Sequence, residues 1–192
     1  MSPEIHIRPE TTGDFQAISD LTRAAFAASE FGHNGEADLI EQLRLHSHVS
    51  LSLVAELADE IRGHILFTPV TISQENQVES TGGLSLPING WGLGPMSVEP
   101  RSQKQGIGKR MIEQSLHLAD DQDIPFIVVL GHPDYYPRYG FESALNHGVS
   151  HGFAGIPQDV FFIRFHRSLQ TKFDQGCLRY NDEFGPQTFE SV

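Results

Sequence analysis

The run Phe126-Ile127-Val128-Val129-Leu130 contains no polar residue, and it follows a stretch with helical periodicity. A strand apolar on both faces must be covered on both, which places it centrally in a sheet with helices packed over it. Residues 106–121 supply the helix. Within them Ile107, Met111, Ile112, Leu116 and Ala119 recur at helical spacing and make one apolar face. Residues 91–98, before that helix, read as another strand. Strand, helix and buried strand form a crossover unit whose strands run parallel with a right-handed connection. That unit commits the chain to a mixed α/β fold.

The other segments surround this unit. Residues 5–8 read as a first strand, and Thr12-Gly13-Asp14 as helix-start chemistry, with Thr12 or Asp14 accepting from exposed backbone N–H groups. Phe15, Ile18, Leu21, Ala25 and Phe26 follow on one inward face. After a loop at His33-Asn34-Gly35, residues 36–45 predict a second helix with Leu39, Ile40 and Leu43 inward. Residues 50–56 and 62–73 alternate in hydrophobicity through Leu51, Leu53 and Ala55, then Ile65, Phe67 and Val70. They predict an antiparallel hairpin that turns near Glu60 or Gly63. Residues 74–89 are the longest loop. Late strands are expected over 141–147 and 160–167, and the tail from Ser168 reads as partly irregular. We expect a single domain over residues 1–192, with a core of about 4–167 and a C-terminal extension over 168–192.

A net charge of −12 repels polyphosphate backbones and argues against nucleic-acid binding; it is compatible with a cationic small substrate, and equally serves simply to keep a chain in solution. No apolar run is long enough to span a bilayer, and the N-terminus lacks the pattern of a signal peptide. One cysteine, Cys177, excludes an intrachain disulfide and reads as a passive small residue. Together these point to a cytoplasmic protein without a membrane partner. Of the ten histidines, only His46-x-His48 and His147-x-x-x-His151 are closely spaced. Neither pair has a third ligand at a recognisable interval, so no metal is expected.

The chemistry lies in Gln103-Lys104-Gln105-Gly106-Ile107-Gly108-Lys109, between a strand and a helix. Such a turn exposes backbone N–H groups at the positive end of the helix dipole, which suits a phosphate. A nucleoside-triphosphate loop would need glycine where Gln103 stands and Ser or Thr where Arg110 stands. A dinucleotide fingerprint would need a third glycine where Met111 stands, and an acidic residue about 20 positions on, closing the next strand. Both readings fail.

The loop, preceded by Val98-Glu99-Pro100, resembles the acetyl-CoA loop of the GNAT superfamily of N-acetyltransferases. Tyr136-Pro137-Arg138-Tyr139-Gly140-Phe141 is similar to that superfamily's Y-x-[KR]-x-G-F segment. Gly92-Leu93-Gly94-Pro95-Met96-Ser97-Val98 and Gly131-His132-Pro133-Asp134-Tyr135 resemble one bacterial subgroup of predicted acetyltransferases, as does Gly176-Cys177-Leu178-Arg179-Tyr180. The resemblance implies a mixed, mostly antiparallel sheet. Its central parallel pair is splayed at the acetyl-CoA site and flanked by helices. It also implies transfer of an acyl group from acetyl-CoA to an amine acceptor.

The resemblance assigns cofactor-binding roles to Met96, Ser97 and Val98 along the strand, and to Gln103, Lys104, Gln105, Gly106, Ile107, Gly108 and Lys109 at the pyrophosphate. Pro95, a proline inside a central strand, marks a bulge or a place where pairing is abandoned. Tyr136 is the general-acid candidate, because a phenol is protonated at neutral pH and can donate to a departing thiolate. It also counts among the residues bordering the cofactor. Residues 91–98 hold no carboxylate, so the candidates for a base are Glu36, His33 and His132, with solvent as a further proton acceptor. The alternative function is a non-catalytic acyl-CoA-binding or sensing module of the same fold. The tail is a candidate homodimer surface.

Overall fold

The computed structural model describes residues 4–28, 35–74, 87–167, 173 and 176–188. In chain order the elements are β1 (His6–Pro9), α1 (Phe15–Ala27), α2 (Glu36–Leu45), β2 (Leu51–Leu57), β3 (Glu60–Gln74) and β4 (Ile88–Val98). Then come α3 (Ile107–Asp121), β5 (Phe126–Leu130), β6 (Glu142–Ser143), β7 (Val149–His151), β8 (Phe161–Phe165) and β9 (Gly176–Arg179). Hydrogen bonding orders the strands β1-β2-β3-β4-β5-β8-β6, and β9 pairs with β3 and β7. β4 and β5 run parallel, as the crossover unit requires. The sheet is otherwise mostly antiparallel, which is the expected mixed α/β class. Two compact units divide the chain: Met1–Thr68 with Leu93–Gln122, and Pro69–Gly92 with Asp123–Val192.

In the first unit α3 buries Ile107, Met111, Ile112, Leu116 and Ala119, the face its periodicity predicts. Gly63 lies beneath it. A Cβ there would sit 2.8 Å from Ile107 Cγ2 and 2.8 Å from Met111 Cε. The hairpin therefore does not turn at Gly63; it turns at Ala58 and Asp59, both at positive φ (52° and 61°). Gly63 faces Ala55 inside the ladder, next to a register shift between Ala55 and Glu56. The expected alternation of β2 is also lost, since Ser52 to Ala55 are all buried. The reason is cover on both faces: α3 packs on the Gly63 side, and α2 reaches the other through Arg44.

Phe15 departs from its expected inward place, being 36% exposed with the Arg44 guanidinium 4.0 Å above its ring. Leu39 is half-buried, whereas Ala37 joins Ile40 and Leu43 in the core. Asp14 does supply helix-start chemistry: its Oδ2 accepts from the Thr11 N–H at 2.6 Å and from Arg8 Nη1 at 2.7 Å.

Arg44 donates to both oxygens of Glu10, at 3.1 and 2.6 Å. His64, fully buried, brings Nε2 to 2.9 Å from Ser52 Oγ and 3.5 Å from Glu10 Oε2. Serine and glutamate thus approach the same ring nitrogen, so the imidazole cannot relay a proton between them as a triad would. The cluster is structural. Burial alone would raise the Glu10 carboxyl, but hydrogen bonds from His64, Arg44 and Ser52 bring it down to about 2.

In the second unit β5 is buried on both faces, as its apolar run demands, and pairs antiparallel with β8. Residues 141–147 do not form a continuous strand. Only Glu142 and Ser143 pair with β8, and residues 144–147 wind into a single turn closed by Gly148 at φ 68°. A Cβ on Gly148 would lie 1.9 Å from the Phe173 carbonyl oxygen, so the chain is bound to turn there. The tail contributes β9, antiparallel to the end of β3 and parallel to β7. The segment at 75–86, within the expected long loop, lies outside the described residues.

Burial holds both His64 and His151 below the ordinary histidine value of 6.5. Unfolded chains therefore take up these protons first, and the stability present above about pH 6.5 is lost as pH falls below it. Melting curves between about pH 8 and about pH 5 should show this decline. His64→Gln should flatten it in part, and His64→Gln with His151→Gln should flatten it further. An equally steep decline in the double variant would contradict this account.

Candidate active site

In the first unit the end of β4, the following loop and the start of α3 form one continuous feature. Val98 leads through Glu99 into a short turn over Pro100–Ser102, where Ser102 Oγ donates to Glu99 Oε2 at 2.7 Å. The Glu99 N–H donates to the Arg62 carbonyl at 2.9 Å, which ties the turn to β3. Gln103 Nε2 donates to the Val98 carbonyl at 3.3 Å, and Gln105 Nε2 to the Arg101 carbonyl at 3.0 Å. Both glutamine side chains therefore brace the loop against its own backbone.

Gly106 caps α3 at φ 89° and ψ 0°, with nothing within 4 Å of where a Cβ would stand. Glycine is required here by conformation, not by crowding. Lys104 is also left-handed, at φ 61°. Two such residues around Gln105 curl the chain so that successive N–H groups converge at the helix start, where no intrahelical acceptor exists for them. Ile107 is buried and anchors the turn, Gly108 is half-buried, and Lys109 is exposed with Glu113 at 3.8 Å.

Along β4, Ser97 is buried and its hydroxyl lies 3.2 Å from that of Thr22 in α1. Its side chain is thus directed at α1, and a ligand could use only its backbone. Met96 and Val98, of opposite orientation, are half-buried. Pro95 is buried within β4, preceded by a cis peptide bond from Gly94. β4 has eleven residues and β5 five, so at most five residues of β4 can pair with β5. Glu36 occupies the first turn of α2 and is half-buried. His33 lies outside the described residues.

Tyr136 belongs to the second unit. It opens a short turn, Tyr136–Tyr139, that ends at Gly140 with φ 82°. Its ring packs so closely on Gly131 that a Cβ there would be 2.2 Å from Cε2. Phe141 and Tyr135 meet it edge-on at 5.8 and 5.2 Å. Burial first, and Tyr139 second, push the Tyr136 phenol well above its ordinary value, so it keeps its proton at neutral pH. Tyr135 is only half-buried. His132 is exposed, with Nδ1 accepting from the Asp134 N–H at 3.2 Å. Among the described residues no three His, Cys, Asp or Glu side chains gather as a metal site would need. Nor is any described helix long and apolar enough to cross a membrane.

The family described as the acetyltransferase (GNAT) domain matches residues 6–144, which takes in the loop, the helix and Tyr136. The chain belongs to the GNAT acetyltransferase family. The protein named uncharacterized N-acetyltransferase YhbS, from Escherichia coli K12, is 28% identical over 181 residues, covering 93% of this chain and 97% of that one. A GNAT family acetyltransferase from Brucella melitensis, solved in complex with acetyl-CoA, superposes with a TM-score of 0.73 at 29% identity, covering 94% and 98%. The structure of E. coli YhbS in complex with CoA gives 0.78 at 23% identity, covering 97% and 94%, and supports the fold. The GNAT expectation and the enzyme class both hold.

Two features escaped sequence reasoning. One is the tail strand, whose Tyr180 is buried. The other is Gly92, where a Cβ would lie 2.5 Å from Tyr180 Cε1. Glycine at alternate positions of a strand, Gly90 and Gly92, was the available signal for close packing on that face.

Gly106→Ala should cost about 1–2 kcal/mol, the penalty of a left-handed alanine, without loss of α3. Denaturant unfolding with far-ultraviolet circular dichroism measures both. An unchanged midpoint would mean that the loop relaxes out of its curled form.

Proposed function

We propose that the protein transfers an acyl group from acetyl-CoA to a primary amine by direct attack on the thioester. The observation that carries this reading is the curled loop at the α3 N-terminus, continuous with the partly unpartnered strand β4. In this reading the N–H groups of Gln103 to Lys109 hold the pyrophosphate, and Lys104 and Lys109 add positive charge nearby. Backbone groups of Met96, Ser97 and Val98 hold the pantetheine arm and the thioester. The acetyl-CoA in the Brucella melitensis structure supports the choice of ligand.

Attack by the amine nitrogen forms the carbon–nitrogen bond as the carbon–sulfur bond breaks. Tyr136 gives its proton to the departing thiolate, a role supported by its raised pKa. Glu36, or solvent, takes the proton lost by the amine. The acidity of the chain is compatible with a cationic acceptor.

The lack of a carboxylate on residues 91–98 favours the second reading, an acyl-CoA-binding module without turnover. Calorimetric titration with acetyl-CoA should give saturable heat, weakened in Gly106→Ala; no heat up to about millimolar ligand would end both readings. Free-thiol release across a panel of primary amines then separates them. Release with at least one amine is expected, and Tyr136→Phe should lower kcat about 100-fold with little change in KM. Binding without release for every amine supports the module. Undiminished turnover in Tyr136→Phe would remove the acid assignment.

A further inference from the structure

Between Met96 and Val98, β4 turns one hydroxyl inward. Ser97 is buried, and its oxygen lies 3.2 Å from the hydroxyl of Thr22 in α1, a residue with no solvent exposure. Either hydroxyl can donate to the other. Around Thr22, α1 also buries Ile18, Leu21 and Ala25, so the pair joins helix to strand in largely apolar surroundings. Replacing both members of such a pair by apolar groups of the same shape is nearly neutral for stability. What apolar packing cannot supply is direction. Hydrophobic contact lets a helix slide or turn slightly, whereas a hydrogen bond weakens steeply outside a narrow range of distance and angle.

A second directional tie holds the start of the same helix. Asp14, just before α1, accepts from Arg8 Nη1 at 2.7 Å and from Nη2 at 2.9 Å, and Arg8 Nε donates to Glu56 Oε1 of β2 at 2.9 Å. A two-pronged ion pair of this kind fixes orientation as well as distance. Thr22 lies about 12 Å further along the helix axis. α1 is thus pinned at its start to β1 and β2, and about two turns later to β4. Side chains alternate along a strand, so Met96 and Val98 point away from α1. The backbone on either side of Ser97 stands where the tie to Thr22 puts it.

We infer that Thr22 and Ser97 are positioning residues for acyl transfer: their hydrogen bond sets where the backbone groups of Met96 and Val98 stand against the thioester. The inference rests on the proposed transfer from acetyl-CoA, in which those groups hold the thioester. The two hydroxyls act only through β4. Neither gains nor loses a proton, and no bond to either changes during the reaction.

The test is a double-mutant cycle of Thr22→Val and Ser97→Ala, with Thr22→Ser as the conservative control. It reads kcat and KM for acetyl-CoA with an amine that the panel shows to be accepted. Thr22→Val keeps the shape of the side chain and removes only the hydroxyl. Each single variant should lower kcat about tenfold, the worth of one hydrogen bond. KM for acetyl-CoA should stay near the wild-type value, because the loop at Gly106 holds the rest of the ligand in that reading. Thr22→Ser should restore kcat. The double variant should lose no more than either single one, since both remove the same bond. Wild-type kcat in both single variants, losses that add in the double, or a loss carried by KM alone overturns the inference and leaves acyl transfer standing. Wild-type protein that releases no thiol with any amine overturns acyl transfer and the inference with it. If Ser97→Ala fails to melt cooperatively, Thr22→Val against Thr22→Ser decides alone: equal kcat in the two overturns the inference.

Discussion

Gly90 and Gly92 leave the early part of one face of β4 without side chains, and aromatic rings fill the space. A Cβ on Gly90 would stand 2.5 Å from the Phe126 carbonyl oxygen and 2.7 Å from its ring, and one on Gly92 would collide with Tyr180. This close approach of ring to backbone organises the second unit. It seats Phe126, the first residue of β5, against β4, on the strand whose Val128 lies in the same core cluster as Val70 and Leu178. It also admits Tyr180 of the tail to that cluster. Interiors packed at this density transmit any added methyl group to their neighbours, so alternatives to glycine there would disturb strand pairing itself.

The first unit depends on a different device. Gly63 lets α3 settle on the β2–β3 hairpin, and Ile107 and Met111 fill the place of the absent side chain. The same helix presents its N-terminus to the loop. Position and chemistry are therefore coupled: Ile107 is both the first residue of α3 and a buried anchor, so the N–H groups around it are held where packing puts them. The polar cluster of Glu10, Arg44, Ser52 and His64 on the opposite face shows how burial and hydrogen bonding compete. Bonding wins for the carboxyl and burial wins for the imidazole.

Much of this was legible beforehand where a local pattern carried it. The faces of α3, the apolar β5 and the hairpin followed from periodicity, and the loop from its glycines and its place between strand and helix. Errors fell where neighbours remote in sequence intervened. Phe15 is 36% exposed and packs beneath the Arg44 guanidinium, a partner remote in sequence, instead of facing inward. Gly63 reads as a turn residue in isolation, and only α3 above it gives it another purpose. Residues 141–147 alternate well enough for a strand, yet Phe173 and Gly148 force a turn. Tyr136 was found through its motif. Its seat on Gly131 was not, because a glycine preceding a loop carries no record of the ring laid upon it.

The sequence by itself determined the crossover unit, the glycine curl at Gly106 and the phenol at Tyr136, because each depends on residues adjacent along the chain or repeating at a fixed period. Only the tertiary structure decided which glycines receive rings, that the tail returns to the sheet as β9, and that Tyr180 packs on Gly92. Those outcomes are set by steric fit between distant segments, and steric fit leaves no periodicity to read.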